Sequence, residues 1–223
     1  MSNDAETPTT RKIRVGLGDT PFPYRAGQAA SLAAEGAPAT PYSIASAPHE
    51  TARHGWLEFL VKVDGTSRFG AMVDALRPAA TLELTGPAGV FTLDRAPGES
   101  PILFIAGGTG IAPMRSMIRE AIESRPTGRL SLVYSSRLPE EFAYLEELKE
   151  LAGSSRLKLT LTLTGDAEDW THARGRAGSA HLAELVVPGT TAFICGPPAM
   201  VTELPIALES LGVTRDRVIT ESW

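Results

Sequence analysis

A chain of 223 residues, 43% hydrophobic and with a net charge of −5, has the make-up of a soluble globular protein with one large domain or two of about a hundred residues each. The charge argues against nucleic acid, which selects a basic face, and no apolar run approaches the roughly 20 residues of a membrane span. A single cysteine, Cys195, leaves no intramolecular disulfide and no all-cysteine iron–sulfur or zinc site within these residues.

The polar stretch Met1–Thr10 lacks the apolar region of a secretory leader and reads as a frayed tail, so a cytoplasmic protein is expected. Beyond it, short apolar segments sit between turn residues: Lys12–Leu17, Gln28–Ala33, Tyr42–Ser46, Leu57–Val63, Thr81–Leu84 and Val90–Leu93. With Pro/Gly punctuation such as Gly86-Pro87 and Ala96-Pro97-Gly98, these predict an antiparallel six-stranded β-barrel over residues 11–97, with one helix at Phe69–Leu76.

From residue 98 to 223 strands alternate with helices. Ile102–Ala106, Leu130–Tyr134, Leu157–Thr164, Thr191–Cys195 and Arg217–Thr220 are predicted strands. Between them fall helices at Pro113–Glu123, through Phe142, Leu145, Leu148 and Leu151, from a cap at Ser179 to Leu185, and from Met200 to Leu211, where Gly212 ends the last. Pro205 should bend that last helix. Continuous apolar strands separated by helices predict an α/β doubly wound parallel five-stranded sheet, covered on both faces.

The most telling run is Gly107-Gly108-Thr109-Gly110-Ile111-Ala112-Pro113, directly after the first of these strands and before a helix. At that turn glycines let a backbone approach a pyrophosphate, and the helix start offers free N–H groups with partial positive charge. Pro113 near the first helical turn loses no hydrogen bond. It also stands where the usual dinucleotide fingerprint has its third glycine.

Gly107–Pro113 followed by Cys195-Gly196-Pro197-Pro198-Ala199-Met200 resembles the nicotinamide half of the ferredoxin–NADP reductase family, shared with oxygenase reductases, flavin reductases and cytochrome b5 reductase. Upstream, Ala26-Gly27-Gln28, Pro41-Tyr42-Ser43-Ile44-Ala45-Ser46 and Gly86-Pro87-Ala88-Gly89-Val90-Phe91 resemble that family's flavin barrel, in the same order. The resemblance covers residues 11–223 and implies a flavin-binding barrel followed by an NAD(P)-binding domain.

It also implies roles. Tyr42 packs along the flavin ring and Ser43 bonds near the atom that receives hydride. Cys195 lies beside the nicotinamide as an orienting group, not a nucleophile. Glu221 and the terminal Trp223 stand at the flavin face, so Ser43, Cys195 and Glu221 are the expected catalytic group. The pyridine nucleotide is assigned to Gly107, Gly108, Thr109, Gly110, Pro113, Ser136, Arg137, Gly196, Pro197 and Met200. The flavin is assigned to Tyr42, Ser43, Thr40, Lys62, Gly70, Ala71, Met72, Val73 and Trp223. No metal is expected: His49, His54, His172 and His181 show no ligand spacing.

Two departures bear on flavin. Thr40 stands where the family has the arginine that pairs with flavin phosphates, and a hydroxyl cannot replace that charge. Val73 stands where the later phosphate-contacting turn has Ser or Thr. FAD is expected, with FMN as the alternative, and weak retention with either. Asp166 in Thr164-Gly165-Asp166 would repel a 2′-phosphate, which leans the nucleotide to NADH, although Arg137 offers a partner for NADPH.

The resemblance implies a monomeric reductase moving hydride from NAD(P)H to flavin. Electrons then pass to a separate ferredoxin, flavodoxin or oxygenase component, since the chain has no iron–sulfur ligand set. The alternatives are an NAD(P)H:flavin reductase with diffusible flavin, and a non-catalytic flavin- or nucleotide-binding subunit or sensor. Arg11, Lys12, Arg14, Arg25 and Arg53 form a loose basic group, a candidate docking face for an acidic carrier.

Overall fold

The computed structural model describes residues 2–34, 37–65, 67–77, 80–125 and 127–222. In the first half, β1 (Ser2–Thr7), β2 (Thr10–Gly16), β3 (Ala29–Ala34) and β4 (Ala37–Ser43) lead to helix α1 (Pro48–His54). Strand β5 (Trp56–Lys62), helix α2 (Arg68–Ala75) and strand β6 (Glu83–Ala88) follow. The strands make two three-stranded antiparallel sheets, β1-β2-β5 and β4-β3-β6, joined by a bridge between Ile44 and Phe59.

Alternate residues turn inward. Ile13 and Val15 of β2 and Leu57, Phe59 and Val61 of β5 share a core with Leu32, Phe69 and Val73. Helix α2 reaches that core because Gly70 lets its backbone lie against β5; a Cβ there would sit 2.1 Å from the Lys62 carbonyl oxygen. Ser67 caps the helix by accepting from the Gly70 N–H at 2.9 Å.

Three expectations for this half are corrected. Residues 2–7 are not a frayed tail but strand β1, in antiparallel register with β2 from Ser2↔Arg14 to Thr7↔Thr10. Asn3 Nδ2 donates to the carbonyls of Val73 (2.6 Å) and Leu76 (3.1 Å), so the strand is held by backbone pairing and polar contacts that no apolar alternation announces. Val90–Leu93 is not a strand. It runs into a 3₁₀ turn at Leu93–Arg95 and sends Phe91 and Leu93 into the core of the other half. Helix α1 is unanticipated, because Pro-His-Glu-Thr-Ala-Arg-His has no apolar stripe. It forms around Pro48 in the first turn, Glu50 accepting from the Ala47 N–H at 2.9 Å, and Gly55 in the left-handed region at φ 73°.

The second half runs β7 (Ile102–Gly107), α3 (Ile111–Ser124), β8 (Leu130–Ser136), α4 (Leu145–Gly153), β9 (Lys158–Leu163), β10 (Ala173–Arg174), α5 (Ser179–Leu182), β11 (Thr191–Gly196), α6 (Pro198–Ser210) and β12 (Val218–Ser222). The sheet is parallel, in the order β10-β9-β8-β7-β11-β12, with six strands rather than five. The extra strand is the two-residue edge β10, too short to leave a pattern.

Phe104, Leu132, Tyr134 and Phe193 face Met114, Met117 and Ile118, while Leu103, Ile105, Val133 and Ile194 face Leu182, Leu204 and Leu208. Both faces are therefore covered, as in a doubly wound sheet. Ser179 does not cap α5; it is the first helical residue, and Gly178 holds the cap position. Pro205 lies inside α6.

The halves meet across a buried polar seam. Ser116 Oγ donates to the Ser46 carbonyl at 2.7 Å. Arg115, 7% exposed, lies 3.0 Å from Glu50, 2.9 Å from Glu147 and 3.8 Å from Glu58, and donates to the Ala45 carbonyl at 2.9 Å. Arg119 adds a 3.0 Å contact to Glu50, and His49 approaches Glu120 at 2.8 Å.

Candidate nucleotide site

The strand order reverses between β7 and β11, the place where open α/β sheets collect ligands. Each of these strands ends in a glycine turn, and the two turns pack on each other. A Cβ on Gly110 would lie 2.2 Å from the Cys195 carbonyl oxygen, and one on Gly107 would lie 2.9 Å from Pro197 and 3.0 Å from Met200. Gly108 takes φ 53°, a conformation that costs a residue with a side chain about 1–2 kcal/mol. Glycine is thus required both for the turn and for the approach of two backbones.

Tyr134 of β8 is fully buried beneath the turn. Its hydroxyl donates to the Gly108 carbonyl at 3.2 Å and accepts from the Ala143 N–H at 3.2 Å. Burial drives its pKa up, so it remains a neutral donor.

A cavity of about 710 Å³ opens over this turn. Of the predicted residues it gathers Gly107, Gly108, Thr109, Ser136, Arg137, Pro197 and Met200, with Lys62 from the barrel side. Arg176 also lines it, next to β10, whereas Asp166 is exposed and does not. The Ser136 hydroxyl is buried and, among the described residues, has no hydrogen-bond partner, which leaves it for a ligand. Gly110, Pro113 and Gly196 do not line the cavity; Gly110 and Pro113 are buried in the turn, and Gly196 presses on Met200, where a Cβ would lie 2.7 Å from its sulfur.

Cys195 is 2% exposed and in register with Glu221 on β12. Burial pushes the thiol pKa up, reinforced by Glu221; burial likewise raises the Glu221 carboxyl to about 7. Trp223 lies outside the described residues.

On the barrel, Tyr42 is half-buried, its ring centroid 5.3 Å from that of Phe69, and its hydroxyl bonds to Ser67. Ser43 is half-buried and pairs with Ala29. The phosphate-side positions are committed elsewhere. Thr40 Oγ1 donates to the Pro38 carbonyl at 3.1 Å, Val73 is 0% exposed in the barrel core, and Gly70 is pressed on β5. Ala71 is exposed, and Met72 packs on the barrel core. Lys62 pairs with Asp64 at 2.8 Å. In the basic group Arg11, Lys12, Arg14 and Arg25 are paired with Asp74, Glu6, Glu58 and Asp94, which removes most of its free charge for docking.

Sequence reasoning misses Tyr134 and Arg176. A tyrosine inside an apolar strand reads as core, and Arg176 sits in a loop without periodicity.

A barrel-like antiparallel half joined to a parallel sheet, with a cavity at the switch point of that sheet, defines a two-part protein of nucleotide-binding type. Residues 104–204 match the oxidoreductase NAD-binding domain family. Ferredoxin--NADP reductase B of Sorangium cellulosum is 36% identical over 193 residues, covering 82% of this chain and 77% of the relative. The naphthalene 1,2-dioxygenase system ferredoxin--NAD(P)(+) reductase component of Pseudomonas putida is 30% identical over 223 residues, 98% of this chain and 66% of the relative. The crystal structure of Amycolatopsis cytochrome P450 reductase GcoB superposes with a TM-score of 0.88 at 25% identity, covering all of this chain and 67% of that one. The chain belongs to the ferredoxin–NADP reductase-like family of oxidoreductases. It spans about two thirds of the length of the dioxygenase reductase component.

Proposed function

We propose that the protein takes hydride from NAD(P)H onto flavin and passes the electrons to a separate carrier protein, a ferredoxin, flavodoxin or oxygenase component. Residues 98–223 serve as the nucleotide unit and the preceding barrel as the flavin unit. The observation that carries this reading is the cavity at the switch point, built from Gly107–Thr109, Ser136, Arg137, Pro197 and Met200 and closed from the barrel side. A bound flavin supplies the conversion between a hydride and single electrons.

The chain's own part is placement. The Gly107–Thr109 turn receives the pyrophosphate, Ser136 and the two arginines the adenosine ribose, and the Pro197–Met200 wall the nicotinamide. Tyr42 and Ser43 position the flavin ring. Glu221, with its pKa near neutrality at about 7, is suited to hold a proton beside Cys195. Arg137 and Arg176 on the cavity and Asp166 off it support NADPH, where the sequence leaned to NADH. No helix among the described residues is long and apolar enough to cross a membrane.

FAD is the proposed flavin. The internal commitments of Thr40, Gly70 and Val73 favour loose retention and support a second reading, an NAD(P)H:flavin reductase for which flavin is a diffusible substrate. The test is anaerobic mixing of the flavin-loaded protein with NADPH and NADH, followed by addition of candidate carriers. Bleaching of the oxidised flavin band and reduction of a carrier are expected. Bound flavin that does not bleach would overturn the proposal and favour a non-catalytic subunit.

A further inference from the structure

The glycine turn is not held by its own half of the molecule alone. The Gly108 carbonyl accepts from Tyr134, and the same hydroxyl accepts from the Ala143 N–H. The next residue, Tyr144, is one of two non-glycine residues with positive φ among those described, at 58°. As the N-cap of helix α4 it has an N–H outside the helical hydrogen bonds, and it donates to Glu6 Oε1 of β1 at 2.6 Å. The other Glu6 oxygen accepts from Lys12 of β2 at 2.8 Å, and the Glu6 side chain is only 14% exposed. The Tyr144 ring lies between the Lys12 ammonium, 5.8 Å from its centroid, and the Arg115 guanidinium, 5.1 Å away. A continuous hydrogen-bonded path thus runs from the N-terminal hairpin to the glycine turn: Glu6, the 143–144 backbone, Tyr134, Gly108.

The same hairpin reaches the cavity. Thr9 and Thr10, at the β1–β2 turn, line it together with Gly108. They are held there by the Thr7–Thr10 hydroxyl contact of 2.7 Å and by the Thr9 N–H donating to Thr7 Oγ1 at 3.3 Å.

We propose that the β1–β2 hairpin is a wall of the nucleotide cavity and that Glu6 is a positioning residue, fastening that wall to the segment that holds the glycine turn. The inference rests on the nucleotide reading of the cavity. It adds that a carboxylate of the barrel half sets nucleotide affinity without touching the nucleotide. Losing the charge-assisted bond to Tyr144 frees a backbone with an unfavourable φ to relax, and the turn relaxes with it. Removal of such a bond corresponds to roughly a tenfold change in binding.

The test uses the full flavin-loaded chain, with NADP+ and NAD+ as non-reacting probes titrated by calorimetry. Flavin dissociation and the KM and kcat for NADPH are measured in parallel. Glu6→Ala should weaken the nucleotide by about tenfold and raise KM more than it lowers kcat, with flavin retention unchanged. Glu6→Gln, which keeps an acceptor for the Tyr144 N–H, should stay within about threefold of the parent. Tyr134→Phe keeps the buried ring and cuts the path at its other end; it should reproduce the Glu6→Ala loss and stands independently should Glu6→Ala fail to fold. The inference is overturned if Glu6→Ala and Tyr134→Phe bind nucleotide like the parent, or if flavin is lost in step with nucleotide. A parent chain that binds neither probe overturns the nucleotide reading itself, a result distinct from tight binding that the substitutions leave untouched.

Discussion

Replacing Arg115 by methionine should cost the protein about 3 kcal/mol, and the structure says where that comes from. Arg115 is 7% exposed and faces Glu50, Glu58 and Glu147, of which Glu58 is 0% and Glu50 8% exposed. Breaking a buried pair by deleting one partner typically costs about 3–5 kcal/mol, because the remaining charge is left without compensation. The lower end applies here. Glu50 keeps Arg119 at 3.0 Å, Glu58 keeps Arg14 at 2.8 Å, and the methionine retains part of the packing. For a chain of this size each kcal/mol moves Tm by about 2–4 °C, so a fall of about 6–12 °C is expected.

The acid side adds a second readout. Burial pushes the Glu50 carboxyl up, but Arg115, the Ala47 N–H and Arg119 outweigh it and hold the folded pKa below its ordinary 4.5. Glu50 therefore contributes stability that is present above pH 4.5 and is lost as pH falls through the folded value. In Arg115→Met that loss should begin at higher pH. Urea unfolding of the parent, Arg115→Met and Arg115→Met/Glu58→Gln between pH 4 and 8 provides the assay. The double variant should recover part of the loss, since its buried carboxylate is gone. A single-variant loss below about 1 kcal/mol, or no recovery in the double variant, would refute the reasoning.

For Glu221 the sign is opposite. Its folded pKa of about 7 lies above the ordinary 4.5, so its contribution is complete below pH 4.5, declines as pH rises and is gone above about 7. Glu221→Gln should remove that decline in urea unfolding, and an unchanged pH profile would contradict a buried carboxyl. Arg137→Ala and Arg176→Ala should each lower kcat/KM for NADPH by about tenfold or more while changing NADH little, measured in steady state. Equal losses with both nucleotides would remove these arginines from the 2′-phosphate. The protein should lose flavin on extensive dialysis, and Thr40→Arg should slow that loss by restoring a charge-assisted phosphate contact. Full retention by the parent chain, followed by absorbance, would defeat this.

The parallel half is legible in sequence because its strands are continuous apolar runs and its glycine turn obeys two steric demands at once. The antiparallel half is harder. Strand β1 carries Asn3, Asp4 and Glu6 and no inward apolar face, and α1 is built from a cap, a proline and a buried ion pair rather than an apolar stripe. Val90–Leu93 has the apolar residues of a strand, yet Phe91 and Leu93 turn toward the neighbouring half. The same division marks the site. Gly107–Thr109, Pro197 and Met200 are readable because the turn geometry and the close packing of the two glycine turns fix their residue types. Tyr134, Arg176 and Glu6 owe their positions to tertiary structure, and nothing in their neighbours' spacing distinguishes them from core or surface residues.

The polar seam around Arg115 also limits how the two halves can be exchanged. Its carboxylates come from both sides, Glu50 and Glu58 from the barrel and Glu147 from the parallel half, and the guanidinium is nearly sealed from water. A chimera that joined this parallel half to a foreign barrel lacking acids at those two places would leave the buried Arg115 with Glu147 as its one carboxylate among these three. The reverse graft would enclose Glu58 without Arg115. The seam is a charge key that makes the halves heritable as a pair, so productive recombination has to carry both sides of the lock together.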